Sequence, residues 1–186
     1  MPTKFKVSNK DVLLRPGRLD THRLLSVIPM LTYHVVADIG CGPGYFTVPL
    51  AKFLFDGKVY ALDVQQGMLD AAREQVDSVK LSNVEFLQSE EKEMPLDDNS
   101  IDGALMAFVL QEANSPRALL KEAKRCLRNT GWLAVLEWHK REMEEGPPVK
   151  QRVEEEKVLS MATKLGFRFT ARRDIDEKQY LLLMRK

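Results

Sequence analysis

The sequence contains few cysteines and no long apolar segment. Only Cys41 and Cys126 occur among the 186 residues. Two thiols so far apart are too few for a disulfide framework and lack metal-ligand spacing, which favours a reducing compartment. No apolar run approaches the roughly 18 residues that a membrane-spanning helix needs, and the amino-terminal residues show charge but no signal-peptide core. These absences predict a cytoplasmic protein with no metal site and no membrane span.

The sequence also lacks an excess of charge of either sign. Its 28 Lys and Arg residues nearly balance its 27 Asp and Glu residues, so the formal net charge is +1. Non-specific binding of nucleic acid needs an excess of positive charge, which this composition does not supply. We therefore expect no nucleic-acid partner, although a local basic patch is not excluded. Internal repeats and low-complexity tracts are absent, and the length fits a single domain spanning 1–186.

The sequence does contain an alternation of strand and helix patterns. Strands are predicted at 34–39, 58–63, 83–88, 101–108, 132–138, 167–172 and 179–184. Helices are predicted at 21–28, from 45 onward, at 66–79, from Ser115 as N-cap to a stop at Gly131, and at 153–165. The last two strands have no helix between them, so one must be antiparallel to its neighbour. The pattern predicts an α/β fold: a doubly wound, mostly parallel seven-stranded sheet with an antiparallel strand near the carboxyl terminus.

A glycine-rich turn joins the first predicted strand to a helix within residues 35–47. Asp38 precedes three glycines at alternate positions, Gly40, Gly42 and Gly44. Glycine has no Cβ, so the backbone there can turn sharply and approach a ligand closely. The unpaired N–H groups of the first helical turn favour an anion above it. The stretch therefore predicts a cofactor site, although a glycine turn without function is the alternative.

The spacing of these glycines separates two classes of cofactor. A dinucleotide-binding turn reads G-x-G-x-x-G, and its third glycine would fall at Tyr45. The run Asp38-Ile-Gly-Cys-Gly-Pro-Gly44 instead resembles the first motif of class I S-adenosylmethionine (SAM) dependent methyltransferases. Seven strands with one reversed near the carboxyl terminus are that family's arrangement, so the resemblance covers nearly the whole chain. It implies a Rossmann-like fold, SAM as methyl donor and S-adenosyl-L-homocysteine (SAH) as product.

The resemblance implies roles for the residues around the turn and the second strand. The glycines and Cys41 are expected to bind the methionine end of SAM, which Asp38 orients directly or through water. Asp63 ends the second strand and is expected to accept the ribose hydroxyls, since one carboxylate can accept from a cis diol. Capping of the next helix is the alternative role for Asp63. Val64, Met68 and Ala107 complete this part of the predicted site.

The adenine is expected to contact the end of the third strand. Glu90 is the predicted acceptor for its amine, with Gln88 or Glu91 as alternatives. Relatives usually have Gly-Asp where this chain has Ser89-Glu90, so the loop must adjust to the longer side chain. An acidic run such as 89–93 is more commonly a solvated surface, and that reading of Glu90 stays open.

Catalytic residues are harder to predict, because in-line methyl transfer depends mainly on alignment and does not always need a base. His139 and Glu112 are the two candidates for such a base, next to Gln111, Glu137 and Trp138 at the predicted acceptor side. His139 has an unperturbed pKa near neutrality, which suits a base; an exposed loop histidine is the alternative. Residues 1–33 are expected to cover the acceptor side, and 139–149 is predicted to be a lid.

Missing motifs narrow the acceptor. No Asp/Asn-Pro-Pro-Tyr follows the fourth strand, and Cys126 lies on a predicted helix, which disfavours amide, adenine and cysteine-dependent cytosine methylation. The prediction is methyl transfer to a small molecule, in the broad group that includes quinone C-methyltransferases. One alternative is a non-catalytic SAM-binding module that regulates a partner. Another is an NAD-linked oxidoreductase, which Asp63 also fits and Tyr45 opposes. The sequence does not predict an oligomeric state.

Overall fold

The computed structural model describes residues 19–186. Its strands are β1 (Val35–Ile39), β2 (Lys58–Asp63), β3 (Val84–Gln88), β4 (Ile101–Ala107), β5 (Leu127–Trp138), β6 (Arg168–Asp174) and β7 (Gln179–Arg185). Its α-helices are α1 (Thr21–Val27), α2 (Thr47–Phe53), α3 (Gln66–Ser78), α4 (Pro116–Cys126) and α5 (Glu155–Lys164). The predicted alternation of strands and helices is therefore confirmed for the part of the chain that the structure describes.

The strands form one seven-stranded sheet in the order β3-β2-β1-β4-β5-β7-β6. Strands β3, β2, β1, β4 and β5 pair in parallel, whereas β7 is antiparallel to both β5 and β6. The predicted doubly wound sheet with one reversed strand near the carboxyl terminus is confirmed. The strand order reverses between β1 and β4, which is where ligands bind in open sheets of this kind.

Helices cover both faces of the sheet. Helices α1, α2 and α3 lie on one face, and their apolar side chains pack on every second residue of the strands. Helices α4 and α5 lie on the other face. Because both faces are covered, the central strands are almost continuously buried, as in β5 from Gly131 to Trp138.

The boundary between α4 and β5 differs from the prediction. The helix ends at Cys126 and not at Gly131, since Leu127 takes an extended backbone (φ −63°, ψ 136°) and pairs with Ile101 of β4. The register then shifts, and the next paired residue of β5 is Trp132, opposite Gly103. Long-range strand pairing therefore overrides the local helical pattern of this segment.

The start of α4 also differs in detail from the prediction. Ser115 is the N-cap residue but its hydroxyl makes no capping hydrogen bond. Glu91 replaces it: its two carboxylate oxygens accept from the backbone N–H groups of Asn114 (2.8 Å) and Ser115 (2.7 Å). A carboxylate at a helix start is favourable because it also opposes the helix dipole. Both oxygens of the Glu91 carboxylate are therefore used at the start of α4.

Helix α1 is the described part of the predicted amino-terminal cover. Asp20 caps it by accepting from the Arg23 N–H at 3.1 Å, and Leu24 and Leu25 are buried against the sheet face that α2 also covers. The remainder of that prediction, residues 1–18, lies outside the described residues. Among residues 19–186, no helix is long and apolar enough to cross a membrane.

Candidate cofactor site

The glycine turn after β1 has the backbone conformation that its sequence predicts. Gly40 and Gly42 have φ values of +70° and +52°, in the region that favours glycine. The N–H groups of Gly40 and Cys41 both donate to the Leu62 carbonyl, at 2.8 and 2.9 Å, which ties the turn to β2. A Cβ on Gly40 would lie 2.5 Å from Val109, whereas a Cβ on Gly42 would meet no atom within 4 Å. Gly42 therefore faces open space at the edge of the sheet.

Gly44 and Cys41 contribute packing to the same turn. A Cβ on Gly44 would lie 3.1 Å from the Ala72 backbone, so this glycine lets α3 approach the turn. Cys41 is buried, and burial followed by the charges of Asp38 and Asp63 raises the pKa of its thiol. A thiol that stays protonated is a poor nucleophile, so Cys41 acts here as a small apolar residue.

Asp38 lies buried at the end of β1, 1% exposed. Its Oδ2 accepts a hydrogen bond from the Thr47 hydroxyl at 2.6 Å, which connects β1 to the first residue of α2. Burial raises the pKa of Asp38 to about 7, against the lowering effect of the Thr47 bond and with a further rise from the charge of Asp63. Asp38 therefore titrates near neutral pH and is sensitive to any charge added to the site.

Asp63 connects the end of β2 to the glycine turn. Its Oδ2 accepts from the Gly42 N–H at 3.0 Å and its Oδ1 from the Gln65 N–H at 2.9 Å. The side chain is 8% exposed, and burial raises its pKa against these hydrogen bonds. Each carboxylate oxygen has a second lone pair, so Asp63 can still accept from a ligand. The bond to Gln65, the N-cap of α3, shows that Asp63 also supports the start of that helix.

The ends of β2 and β3 lie side by side. The Ser89 N–H donates to the Asp63 carbonyl at 3.0 Å. Val64 is 52% exposed at this edge, and Met68 on α3 is half-buried. The Glu90 side chain is exposed, and its backbone pairs with that of Glu93. The predicted ribose and adenine residues are thus brought to one edge of the sheet.

Of the alternatives to Glu90, one is used elsewhere. Glu91 accepts from two backbone N–H groups at the start of α4. The Gln88 side-chain amide donates to the Val64 carbonyl at 3.1 Å, which leaves its oxygen able to accept. Among the three, Glu90 keeps its carboxylate unengaged within the described residues.

The chain turns sharply after β4. Phe108 has φ +62°, unusual for a bulky residue, and its N–H donates to the Leu136 carbonyl at 2.8 Å. A helical turn follows, in which the N–H groups of Glu112 and Ala113 donate to the Val109 carbonyl. Ala107 is half-buried at the strand end. Val109 is the residue that touches Gly40, so this β4 turn contacts the glycine turn directly.

The β4 turn carries the predicted candidate Glu112. Its side chain is exposed to solvent. Partial burial and the charge of Asp63 raise its pKa. The influence of Asp63 places Glu112 on the side of the β4 turn that faces the end of β2.

Glu137 lies behind the β4 turn, near the end of β5, and is fully buried. Its Oε1 accepts from the Leu110 N–H at 2.8 Å, while its Oε2 has no hydrogen-bond partner among residues 19–186. Burial raises its pKa to about 8, opposed by N–H groups of the β4 turn and reinforced by the charge of Glu112. The sequence placed Glu137 at the acceptor side, but nothing in it signalled an unpaired buried carboxyl.

Asp38, Asp63, Glu112 and Glu137 form what we call the carboxyl cluster. Neighbouring members influence one another's pKa, yet none forms an ion pair with a cationic side chain in the described part of the chain. The acidic, His and Cys side chains of residues 19–186 also form no group that could hold a metal ion. The cluster therefore offers several carboxyl groups without a cationic partner to an organic cation with separated charges.

His139, the other catalytic candidate, is fixed rather than free in a loop. Its Nε2 lies 2.9 Å from Asp174 Oδ1, its ring packs on Tyr180 with centroids 5.5 Å apart, and its N–H donates to the Lys178 carbonyl at 2.9 Å. It lines an open cavity of about 730 Å³ together with Arg23 of α1 and polar residues of the β6–β7 hairpin. The sequence contains no motif that pairs His139 with Asp174.

Segment 139–149, predicted to be a lid, is anchored at several points. Arg152, which is buried, donates to the carbonyls of His139, Arg141, Glu145 and Pro147 at 2.7–3.1 Å. Gly146 packs so closely on the Trp138 ring that a Cβ there would lie 2.9 Å from it. Opening this segment as a lid would break these contacts, so they favour a fixed boundary of the acceptor side.

These features define a class of protein before any comparison is made. A Rossmann-like sheet with a reversed strand, a glycine turn and acids at the ends of β1 and β2 is the arrangement of an α/β enzyme that binds a nucleoside cofactor. A family profile described as "Methyltransferase domain" matches residues 37–135, more than half of the chain. The chain therefore belongs to this family and is a class I SAM-dependent methyltransferase.

Individual relatives agree with the family assignment. A SAM dependent methyltransferase from Aquifex aeolicus is 33% identical with a TM-score of 0.88, covering 93% of this chain and 94% of that one. A demethylmenaquinone methyltransferase from Bacillus mycoides (strain KBAB4) is 31% identical over 138 residues, which are 72% of this chain. The match spans only 57% of the length of that relative.

A more distant structure shows the fold alone. The [4+2]-cyclase SpnF is 20% identical, with a TM-score of 0.78, and the match covers 89% of this chain and 80% of that one. Its similarity adds no information on the reaction of this chain. The family assignment therefore depends on the profile and the more similar relatives, and it implies SAM as methyl donor.

Proposed function

We propose that this chain transfers a methyl group from SAM to a small-molecule acceptor. The observation that carries the proposal is the carboxyl cluster beside an open glycine turn. None of its four carboxyl groups pairs with a cationic side chain of residues 19–186, and no group of acidic, His and Cys side chains there could hold a metal ion. An ammonium and a sulfonium on one elongated ligand match that distribution of charge.

The residues present fit such a ligand. The open side of Gly42 lets a ligand approach the backbone, and Asp63 has free lone pairs for the ribose hydroxyls. Asp38 is held by Thr47 so as to orient the amino-acid end through its charge. The remaining contacts that we propose, to the ribose, adenine and methionine parts, come from Gly40, Cys41, Gly44, Val64, Met68, Ser89, Glu90 and Ala107.

SAM supplies an activated methyl group on a sulfonium, and alignment of the acceptor with it supplies much of the rate. An aromatic row lies at the acceptor side of the cleft: the Phe108 ring is 6.3 Å from that of Phe46 and 5.5 Å from that of Trp138. Phe46 and Trp138 are buried and Phe108 is half-buried, so these tilted rings form an apolar wall that excludes water. The name of the Bacillus relatives, demethylmenaquinone methyltransferase, supports a small-molecule acceptor.

We propose two side chains as candidates for the base where the acceptor must lose a proton. His139 is oriented by Asp174 through Nε2, which leaves Nδ1 as the basic nitrogen. Glu112 has a raised pKa within the cleft and is thus a stronger base than an ordinary carboxylate. We expect His139→Gln to leave SAM affinity within about twofold and to lower turnover if His139 is the base. Glu112→Gln should lower turnover if Glu112 is the base and should also weaken SAM binding, because Glu112 belongs to the carboxyl cluster.

Equilibrium dialysis with labelled SAM tests the cofactor part of the proposal, with SAH and NADH as competitors. We expect saturable binding of SAM that SAH displaces and NADH does not. Asp63→Ala should weaken binding at least about tenfold, because the ribose contact and the support of Gly42 are lost together. The matched control is Asp77→Ala, since Asp77 is an exposed carboxylate on α3.

Turnover separates an enzyme from a SAM-binding regulatory module. Transfer of labelled methyl from SAM to members of a small-molecule panel, dependent on intact Asp63, is the expected result. A protein that binds SAM tightly but methylates nothing across polar, aromatic and quinol-type acceptors would instead be a regulatory module. Displacement of SAM by NADH would reopen the oxidoreductase alternative.

A further inference from the structure

Glu137 is a buried carboxyl for which alignment of the acceptor gives no role. It is fully buried, and one of its two oxygens has no hydrogen-bond partner among residues 19–186. A buried polar atom without a partner costs free energy, so it is retained only where something compensates for that cost. Replacement by an apolar residue would be expected here if the position served packing alone.

The position of Glu137 connects it to the cofactor cleft. Its Oε1 binds the Leu110 N–H of the β4 turn, and the neighbouring Val109 of that turn touches Gly40. Glu137 and the glycine turn therefore both contact the β4 turn. Because this region is buried and poor in water, a charge placed in the cleft acts on Glu137 with little screening.

No described neighbour neutralises Glu137. From the β4 turn it faces Glu112, which has the same sign of charge. From β7 it faces Tyr180, whose hydroxyl donates to the Val153 carbonyl at 3.0 Å. The nearest cationic groups are engaged elsewhere: Arg152 binds four backbone carbonyls and His139 binds Asp174.

We propose that Glu137 is a specificity-determining residue that favours SAM over SAH, because its carboxylate form is stabilised by the positive charge on the sulfur that SAH lacks. This inference rests on the proposed function, since it requires both molecules to bind in the cleft. SAM and SAH share the same carboxylate, ammonium, ribose and adenine groups and differ in the methyl group and the positive charge on the sulfur, to which Asp38 also responds. The ionisation of Glu137 then depends on whether the methyl group has been transferred.

The proposal predicts a difference in proton release. Burial keeps a proton on Glu137 up to a pH of about 8, as its pKa indicates. A nearby positive charge lowers that pKa, so binding of SAM at pH 7.5 should release more protons than binding of SAH. The ratio of the SAH to the SAM dissociation constant should accordingly rise about fivefold between pH 6.5 and pH 8.5.

Isothermal titration calorimetry in buffers of different ionisation enthalpy measures this release. SAM and SAH are titrated separately into wild type, Glu137→Gln and the control Glu144→Gln, which alters an exposed glutamate near the same segment. Glutamine keeps an oxygen for the Leu110 N–H, so the β4 turn should survive. We expect the SAM–SAH difference in wild type and Glu144→Gln, and a clearly smaller difference in Glu137→Gln, where Asp38 is the buried acid that remains.

The outcomes separate this inference from the proposed function. Absence of binding by both molecules would remove the proposed function and the inference with it. Binding of both with equal proton release in wild type, or an unchanged difference in Glu137→Gln, would overturn the inference alone. If Glu137→Gln does not fold, carboxyl ¹³C NMR of the wild type decides: a glutamate that titrates near pH 8 should shift to lower pH with SAM and not with SAH.

Discussion

At the scale of single residues, two of the acids proposed for the site are buried without a cationic partner among residues 19–186. Asp38 and Glu137 combine near-complete burial with raised pKa values, about 7 and about 8. Such buried acids lower the stability of the ligand-free protein, and their carboxylate forms would bind a cationic ligand more tightly. The loss of stability is thus linked to the proposed function. Two predictions follow from individual side chains at this scale.

The stability of the ligand-free protein should fall as pH rises from 5 to 8. The folded-state pKa values of Asp38 and Glu137 lie above their ordinary values of 3.8 and 4.5. At a pH between the ordinary and the folded-state pKa of each group, the folded state keeps a proton that the unfolded state has lost. The free energy of unfolding therefore falls as the pH rises. The slope is about 1.4 kcal/mol per pH unit for each proton. Urea unfolding at pH 5, 6, 7 and 8 measures it.

The Glu137→Gln variant isolates one part of this dependence. It should be more stable than wild type at pH 8, by about 1 to 3 kcal/mol, and nearly equal to it at pH 5, where Glu137 is protonated. A Glu144→Gln variant should follow wild type at every pH. Stability of wild type that stays level or rises between pH 5 and 8 would contradict the raised pKa values.

Gly40 and Gly42 should respond differently to replacement by alanine. Gly40→Ala places a Cβ against Val109 at φ +70°, which should cost about 2 to 4 kcal/mol of stability. Gly42→Ala adds only the backbone strain, about 1 kcal/mol, because its Cβ meets open space. That Cβ projects where the cofactor is expected, so SAM affinity should fall by more than about tenfold while the fold survives. Unfolding curves and SAM titrations of both variants distinguish the two effects.

At the scale of elements, the loop after β5 shows how one side chain organises a segment. Arg152 gathers four backbone carbonyls of residues 139–147, and its guanidinium lies 5.8 Å from the Trp138 ring. These carbonyls do not take part in the hydrogen bonds of a helix or strand, so the conformation of the segment depends on Arg152. His139 begins the segment, and the position of the candidate base therefore depends on Arg152 as well.

Arg152→Met should release segment 139–149. We expect a loss of stability of about 2 to 4 kcal/mol, since buried carbonyls lose their donors. Trypsin should then cut after Lys140 and Arg141 much faster than in wild type. Lys150→Met, an exposed cationic neighbour, is the matched control. Equal cleavage rates in all three proteins would show that the segment opens freely, as the lid hypothesis requires.

The elements also show what local sequence can and cannot predict. The type and order of strands and helices follow from apolar periodicity, which the buried faces of the sheet confirm. The end of α4 was wrong because pairing of Leu127 with Ile101, far away in sequence, decides it. Ser115 is the N-cap as predicted, but its hydroxyl makes no capping bond, and Glu91 from a distant loop accepts from the N–H groups of Asn114 and Ser115.

At the scale of the whole molecule, the strand order concentrates the site. Because β1 to β5 are parallel, their carboxyl ends lie along one edge of the sheet, and the strand order reverses between β1 and β4. Residues predicted from the glycine motif, such as Asp38 and Asp63, lie there because motif and fold belong to one family. The contact of Val109 with Gly40, the unpaired Glu137 and the His139–Asp174 pair depend on tertiary contacts. No pattern in the sequence predicts these three features.

The central claim is that SAM and SAH bind along this edge, between the glycine turn and the carboxyl cluster. The most direct test is a crystal structure of the protein with SAH. We expect the ribose hydroxyls to hydrogen-bond to Asp63 and the methionine end to lie over Gly42 beside Asp38. The adenine should lie between Val64 and the Ser89–Glu90 backbone. SAH bound at another edge of the sheet, or in this cleft without contact to Asp63, would contradict it.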